Sequence, residues 1–462
     1  MHIPKFKEFI SEDKDEKLFC KILIITDEPE EAKTFHTADR LKQEAEKLKL
    51  PYYLYKLTGG YMTFEDNIRR LHNKDDPKGF EITSDTVAII RGSITRKDSW
   101  MDIVSTLEKD GICVVNSRQC ISICADKYRT YLKLADYSIN QPTTALITDA
   151  EKSKEAFEKL DTKYPIILKT LRGSKGVGVL FVESERGLDS LCQVLYKQDE
   201  DADLLLQEYI PNDYDVRVLV LGGKVLANMK RPVIKGDFRS NVSQGSEPVK
   251  IDLTEVEITE CLKAAKAVGG LWTAVDFIPS KNREKEPPYI LEVNSSPGTE
   301  GIEKASGQNI SKEVIQFFMK DTNRIKVPDA CGFKEIVTIK PFGEIVAKFD
   351  TGNSGMSVIH ADKTKVKGKT IAWTLLGKTV VSPIIRKEEI KVGGLRDYEE
   401  DRYVIKLDME FAGTVYTDIL FTIDNREDRT PILLDRETMN KLNVIVSPRR
   451  KYVMTTHYEL DK

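Results

Sequence analysis

A chain of 462 residues is too long for one hydrophobic core and implies two to four domains. Its 40% hydrophobic and 31% charged residues fit a globular protein, and a net charge of −3 with pI near 6.1 excludes the global basic field used to hold nucleic acid. No apolar run reaches membrane-spanning length, Met1-His2-Ile3-Pro4-Lys5 runs into charge rather than an apolar signal core, and seven scattered cysteines build no disulfide framework, so a cytoplasmic, reducing location is expected, with neither membrane nor nucleic acid as partner.

Residues 1–18 are charged and aperiodic and read as a tail. Lys21 to Ile25 reads as a buried strand, and Ala38, Leu41, Ala45 and Leu48 follow helical spacing up to Pro51. Tyr52 to Tyr55, Thr86 to Ile90 and Ile112 to Val115 read as further strands, so residues 19–120 are expected to form a parallel α/β domain. A second domain is expected over 121–319. In it the strand Tyr164 to Lys169 leads into Arg172-Gly173-Ser174-Lys175-Gly176-Val177-Gly178 and then into Val179 to Val182. That is a glycine-rich hairpin loop, not a strand-to-helix phosphate loop. Thr254-x-x-Glu257 is a capping box for a helix with apolar face Ile258, Leu262, Ala265 and Val268, and strands Leu271 to Ile278 and Tyr289 to Asn294 follow. Residues 320–334 lack periodicity and read as a linker. Residues 335–462 read as all-β, with Tyr403 to Phe411 and Val415 to Ile423 forming a hairpin about Ala412-Gly413-Thr414.

Glu292 and Asn294 are two apart on one strand and project from the same face, and Asp276 sits on the preceding strand where antiparallel pairing brings it alongside. Three oxygen donors on adjacent strands suit Mg²⁺, which keeps waters and phosphates in its shell. The plainer reading makes them polar residues of a sheet surface, but carboxylates inside Val275-Asp276-Phe277 and Leu291-Glu292-Val293 are costly unless ligated or paired. Lys169 ends an apolar strand before the glycine loop, within reach of a nucleotide phosphate, and the loop amides from Gly173 to Gly178 permit close approach to phosphates. A flexible hairpin with a lysine at its edge is the alternative. Gly368-Lys369-Thr370 and Gly377-Lys378-Thr379 end like phosphate loops, but Lys363 and Ala372 stand where the leading glycines belong.

In order along the chain stand Asp126-Lys127, Lys169 with its glycine loop, Gln207-Glu208-Tyr209-Ile210, Asp215-Val216-Arg217, Gly236 to Asn241, Val275-Asp276, Glu292 to Gly298 and Gly301-Ile302-Glu303-Lys304. With this set, residues from about 20 to 318 resemble the ATP-grasp ligases, and among them the RimK-like ribosomal-protein glutamate ligases. The resemblance implies an α/β pre-ATP-grasp domain followed by an α+β ATP-grasp fold. It implies that Lys127 and Lys169 contact ATP, with Gly173, Ser174, Lys175 and Gly176 in the mobile loop over it. Gln207, Glu208, Tyr209 and Ile210 would form the adenine hinge and Asp215 would bind the ribose. Arg231 and Arg239 would meet phosphate or acyl-phosphate charge. Asp276, Glu292 and Asn294 would hold two Mg²⁺ ions, with Mn²⁺ as a substitute. The implied reaction joins an amino acid, glutamate, to a protein or peptide carboxylate through an acyl phosphate.

Phe349-Asp350-Thr351-Gly352 ends the apolar stretch from Glu344. Alone it is also ordinary turn chemistry. With Ala347 to Gly352, Ser357 to Ala361, Arg402 to Ile405 and Pro431 to Arg436, residues from about 336 to 450 resemble retropepsin-like aspartic proteases, which implies an all-β barrel. One triplet supplies one carboxylate, so the resemblance implies a homodimer through the β domain, with catalytic Asp350 from each copy. Two departures stand out: Asp435 follows Leu433-Leu434 where glycine is usual, and Asn353 to Gly355 replace the usual small residue. The combined expectation is a bifunctional enzyme whose second half trims or processes the product of the first. Two other readings are a ligase acting on a small molecule or carrier, and a ligase with an inactive β domain used for dimerisation or docking.

Overall fold

The computed structural model describes residues 20–27, 36–65, 68–171, 178–233, 247–391, 399–427 and 429–455. The chain divides into two compact units, Met1–Lys326 and Val327–Lys462.

The first unit opens with strand β1 (Lys21–Thr26), helix α1 (His36–Lys47) and β2 (Tyr52–Lys56). A short antiparallel meander follows: β3 (Tyr61–Glu65), β4 (Ile68–His72) and β5 (Phe80–Glu81). Next come β6 (Thr86–Arg91), α2 (Asp98–Lys109) and β7 (Cys113–Val115), and the parallel order is β2-β1-β6-β7. β6 and most of β1 are buried, as runs covered on both sheet faces must be. The meander escapes sequence reading because Ile68-Arg69-Arg70-Leu71-His72 mixes charge into a strand too short to show a period.

Helices α3 (Arg118–Cys124) and α4 (Lys127–Ala135) lead into a second sheet. Its members are β8 (Thr144–Ile147), β9 (Ile166–Thr170), β10 (Val179–Val182) and β11 (Leu204–Glu208), antiparallel in the order β10-β9-β11-β8. Helices α5 (Ser153–Lys159) and α6 (Glu185–Gln198) lie between its strands in sequence and close its core. A third antiparallel sheet holds β12 (Tyr214–Leu221), β13 (Lys224–Pro232), β14 (Trp272–Ile278) and β15 (Tyr289–Asn294) in the order β13-β12-β14-β15. Helix α7 (Glu255–Ala267) enters this sheet through the expected capping box: Glu257 N donates to Thr254 Oγ1 at 3.2 Å, and Thr254 N donates to Glu257 Oε2 at 3.0 Å. Helices α8 (Glu300–Ser306) and α9 (Ile310–Met319) end the unit's long elements.

The second unit begins earlier than the linker reading allows. Strand β16 (Asp329–Gly332) lies inside residues 320–334, and it is followed by β17 (Lys334–Ile339). Four residues are too few for periodicity to register; pairing with a distant strand creates β16. The strands that follow are β18 (Gly343–Phe349), β19 (Ser357–His360), β20 (Lys363–Lys367), β21 (Thr370–Leu375), β22 (Lys378–Pro383), β23 (Arg386–Lys391), β24 (Glu399–Phe411), β25 (Thr414–Asp424) and β26 (Ile432–Leu434). Helix α10 (Arg436–Leu442) and β27 (Val444–Ser447), the parallel partner of β16, complete the unit. Strands β17-β18-β26-β19-β25-β24 form a ring that β24 closes onto β17 at Glu410 and Thr338, with β23 outside β24. The core inside includes Val337, Ala347, Phe349, Ile405, Phe421 and Leu434. Strands β20-β21-β22 make a separate sheet. The expected hairpin joins β24 to β25, and both loop residues, Ala412 and Gly413, have positive φ (49° and 80°), as a two-residue turn matched to strand twist requires.

One buried carboxylate ties the ends of this unit together. Glu335 is fully buried and accepts from the backbone of Gly332 (2.6 Å), Val453 (2.8 Å), Met454 (3.2 Å) and Thr455 (3.1 Å), and from Thr455 Oγ1 (2.5 Å). An amide cannot accept from every one of these donors without turning its own hydrogens on some of them. Glu335→Gln should therefore destabilise the second unit by about 3 kcal/mol, read as a lowered urea midpoint for that unit; an unchanged midpoint would show the clasp to be dispensable.

Candidate active site

The third sheet carries alternating side chains to two faces. Val216, Val218 and Val220 enter one core with Val275, Phe277 and Val293, while Leu219, Ala227, Met229, Trp272 and Ala274 enter another. Asp215, Arg217 and Asp276 share the parity of the second set, so the same alternation that builds this core places charge at its edge. Register finishes the arrangement: Arg217 on β12 faces Asp276 on β14, and Asp276 faces Glu292 on β15. A register shift beside Asp276 marks a bulge next to the acidic pair.

Asp276 is 3% exposed and forked by Arg217, whose Nε and Nη2 donate to Oδ1 and Oδ2 at 2.7 and 2.6 Å. Arg231 Nη2 lies 3.1 Å from Asp276 Oδ2 and forks Asp215 at 2.6 and 2.7 Å. Burial works against the Asp276 charge, but Arg217 and Arg231 outweigh it and hold this carboxyl well below its usual range. Burial likewise opposes the Arg231 charge, and Asp276 and Asp215 more than offset it. Asp215, expected at the ribose, is committed through both oxygens to Arg231.

Glu292 differs. Its side chain keeps 45% of its accessible surface, so it borders an open cleft even though protein surrounds the cleft. That surrounding mass, followed by the charge of Asp276, pushes its carboxyl above the usual range. Asn294 Nδ2 donates to Glu292 Oε1 at 2.9 Å. Two carboxylates in register beside one amide make an oxygen donor set with space for water and phosphate, which fits Mg²⁺. Among the described residues no group of three or more His, Cys, Asp or Glu is placed to hold a metal.

Two lysines reach the same space from other elements. Lys127 opens α4 behind its cap Asp126, which accepts from Tyr128 N and Arg129 N at 2.9 Å each. Lys127 Nζ donates to the carbonyls of Thr170 (3.0 Å) and Leu171 (3.4 Å), where β9 ends. Lys169 Nζ donates to Gln207 Oε1 at 2.5 Å, and Gln207 Nε2 donates to Thr144 Oγ1 at 2.8 Å. Burial lowers both ammonium groups and Glu292 raises both; Lys169, further lowered by Lys127, falls to about 8. These mutual effects place both lysines and Glu292 in one electrostatic neighbourhood. Glu208 closes β11 with its carboxylate accepting from Thr143 N at 3.2 Å, and Tyr209 packs edge-on against Phe181. Gly173, Ser174, Lys175, Gly176 and Arg239 lie outside the described residues.

Some supporting residues lie outside every sequence motif. Arg217 was visible in sequence, within Asp215-Val216-Arg217 on an otherwise apolar strand, although no role for it follows there. Asn116 was not, since its partners are remote in sequence: it accepts from Leu271 N and Trp272 N at 2.7 and 3.1 Å and donates to the carbonyls of Trp272 and Ser295 at 2.6 and 2.7 Å. Arg91 Nη2 donates to Pro297 O at 2.7 Å, and Gly92 N donates to Ser296 Oγ at 3.0 Å. Gly92 has φ +86°, and a Cβ there would overlap Asp27 Oδ1, so glycine is required. The first sheet thus holds the loop after Asn294 in place. A separate cavity of about 760 Å³, lined by Tyr52, Tyr61, Arg70, His72 and Lys78, includes none of these site residues.

In the second unit Asp350 follows β18. Its Oδ1 accepts from Gly352 N at 3.1 Å and its Oδ2 lies 3.2 Å from Lys348 Nζ. Asp435 caps α10: it accepts from Ser357 Oγ (2.7 Å), Thr438 N (3.2 Å) and Glu437 N (3.1 Å) and is buried.

The first unit resembles solved ligases in fold. ATP-grasp ligase PsnB, in complex with a minimal precursor, superimposes with a TM-score of 0.50 at 15% identity over 64% of this chain and 98% of its own. A Chryseobacterium gregarium RiPP-associated ATP-grasp ligase, in complex with ADP and a leader and core peptide, gives 0.50 at 17% identity over 67% and 100%. The first unit therefore has the ATP-grasp fold. A model of the RimK-like ATP-grasp domain matches residues 124–318. The chain is 33% identical over 264 residues to a probable alpha-L-glutamate ligase of Syntrophotalea carbinolica, covering 57% of this chain and 84% of that one. It is 31% identical over 293 residues to probable alpha-L-glutamate ligase 1 of Shewanella frigidimarina, covering 63% and 93%. The chain belongs to the RimK-like ATP-grasp family, whose members use ATP and Mg²⁺. No helix among the described residues is long and apolar enough to cross a membrane.

The raised Glu292 carboxyl carries a sign. Its ionisation costs the ligand-free fold stability, starting as pH rises through the unfolded value and complete above the raised folded one. Glu292→Gln should therefore stabilise the ligand-free chain at pH 7 by about 0.5 kcal/mol, a small gain because solvent screens the open cleft. Urea unfolding should show this gain vanish below about pH 4; a variant less stable than the parent at pH 7 would contradict the electrostatic account.

Proposed function

We propose that the chain is an ADP-forming carboxylate–amine ligase that adds glutamate to a carboxylate of a protein or peptide. The observation carrying this reading is the Arg217–Asp276–Glu292 rung in one electrostatic neighbourhood with Lys127 and Lys169. Anionic oxygens beside ammonium groups in a partly enclosed cleft form a place for a metal–triphosphate. The glutamate ligases among the relatives support glutamate as donor. A polypeptide acceptor is what the family resemblance implies.

In this reading Lys127 and Lys169 hold phosphate oxygens, and Gln207, Glu208, Tyr209 and Ile210 line the adenine hinge. Asp276, Glu292 and Asn294 hold Mg²⁺, as two ions and with Mn²⁺ accepted in its place. The metal, when bound, neutralises charge on the transferring phosphoryl group. Arg231, clamped by Asp215 and Asp276, presents a fixed and permanently charged guanidinium to the reacting phosphoryl. Asp215 then works behind Arg231 rather than at the ribose. An acceptor carboxylate oxygen attacks the γ-phosphorus and ADP departs, leaving an acyl phosphate. The amine of glutamate attacks the acyl carbon, phosphate leaves, and the amine loses a proton as the amide forms. Gly173, Ser174, Lys175, Gly176 and Arg239 keep the roles that resemblance implies.

Intact mass spectrometry of candidate acceptors with ATP, Mg²⁺ and each amino acid should show increments of one glutamyl residue. Glu292→Ala should reduce ADP release by about 100-fold or more, because the metal that would position the phosphates loses a ligand. Undiminished turnover in that variant would remove the site assignment.

For the second unit we propose a retropepsin-like domain that trims or processes the ligated product as a homodimer. The closed six-stranded ring, with Asp350-Thr351-Gly352 directly after β18, supports this reading. Asp435 is occupied as a helix cap, so its departure from glycine has a structural explanation that leaves Asp350 available. The ion pair from Lys348 favours a second reading, a catalytically silent docking domain, because it occupies the Asp350 oxygen that a paired aspartic site would turn toward its partner carboxylate and water. Asp350→Asn should abolish cleavage of ligated product while leaving ADP release intact; unaltered cleavage would eliminate the peptidase reading.

A further inference from the structure

Strand β20 reads Lys363-Thr364-Lys365-Val366-Lys367, and all five residues are exposed. It is the outer strand of the β20-β21-β22 sheet, so one edge of its backbone has no strand partner among the described residues. Lys363, Lys365 and Lys367 alternate and stand on one face at intervals of about 6.8 Å. The other parity of the neighbouring strand, Ile371, Trp373 and Leu375, is buried in the core, so the lysine face, shared with Thr370, Ala372 and Thr374, points outward. Lys369 adds a fourth positive charge in the turn. None of these four lysines has an ion-pair partner among the described residues, although the chain as a whole is net acidic.

We propose that this strand docks an extended acidic peptide, and specifically an oligoglutamyl tail of the kind the first unit is read to build; the proposal rests on that reading for the identity of the tail. An extended peptide carries same-face side chains at the strand's own interval, so every second glutamate of a bound tail meets one lysine of β20. The free backbone edge accepts such a peptide by strand addition, which gives affinity without demanding a particular sequence around the carboxylates. Nucleic acid suits the surface less well, because Thr370, Ala372, Thr374, Thr379, Val381 and Pro383 share the outward parity and none offers an aromatic platform for a base. Lysines on an edge strand also deter edge-to-edge aggregation, and the test is built to separate that role from docking.

The probe is a fluorescent hexaglutamate peptide titrated into the full chain without ATP or Mg²⁺, so no ligase turnover enters the readout. Binding should be measurable at low salt and weaken steeply between 50 and 300 mM NaCl, since its charges are exposed. The triple variants K363Q/K365Q/K367Q and K363E/K365E/K367E should each lose about tenfold or more in affinity, the sum of three exposed pairs. The glutamate variant keeps charge on the edge and so preserves aggregation resistance while reversing complementarity. Peptide binding that survives both substitutions, no binding at low salt, or tighter binding of a single-stranded RNA of equal charge would each overturn the proposal. Failure of glutamyl transfer in the mass-spectrometric assay alongside lysine-dependent peptide binding would sink the donor assignment alone and leave the docking surface standing.

Discussion

A single buried carboxylate, Asp276, dictates much of the first unit. An isolated carboxylate at that depth would cost several kcal/mol, and two guanidiniums answer it: one directly across the strand pair, the other from the next strand and itself anchored by Asp215. Those two arginines fix the relative register of β12, β13 and β14, and hence the position of β15, whose Glu292 completes the rung. Asp276 is thereby held ionised and immobile, while Glu292 beside it is strained toward protonation. The contrast leaves one carboxylate anionic at every ordinary pH and beside it one whose ionisation a nearby positive charge would favour. Preorganisation of this kind costs stability in the empty chain and returns it on binding.

How much of this was legible in sequence depends on distance along the chain. Glu292 and Asn294 declare themselves by alternation within six residues, and Asp276 by sitting inside an apolar run. Lys169 is marked by the glycines after it. Arg217 stands in the Asp215-Val216-Arg217 motif with the same period-two signature, but its role beside Asp276 follows only once β12 and β14 pair. Asn116 and Arg91 carry no local mark at all: their partners lie 155 to 206 residues away, and such partnerships emerge only when separate sheets meet. The fold followed the same rule. Buried runs such as Lys21–Thr26 were plain, whereas β16, inside a stretch that reads as linker, exists only through its distant partner β27.

In the second unit Asp435 has a structural role of its own. A glycine at that position would leave the first turn of α10 without its cap; the aspartate supplies it and gathers Ser357 and Thr438 into one buried network. Lys348 bears on the chemistry more directly, because it touches the carboxylate that any aspartic mechanism would use.

The Glu335 clasp has a consequence for how the molecule comes into being. Its donors include residues 118 to 120 positions downstream, and β16 must find β27 across a similar span. No early fragment of the barrel can satisfy its own first strand, so this unit gains little until nearly all of it is present. High contact order slows folding. Any recombinant fragment of the barrel must run from β16 through Thr455, or it will retain an unsatisfied buried carboxylate at its heart.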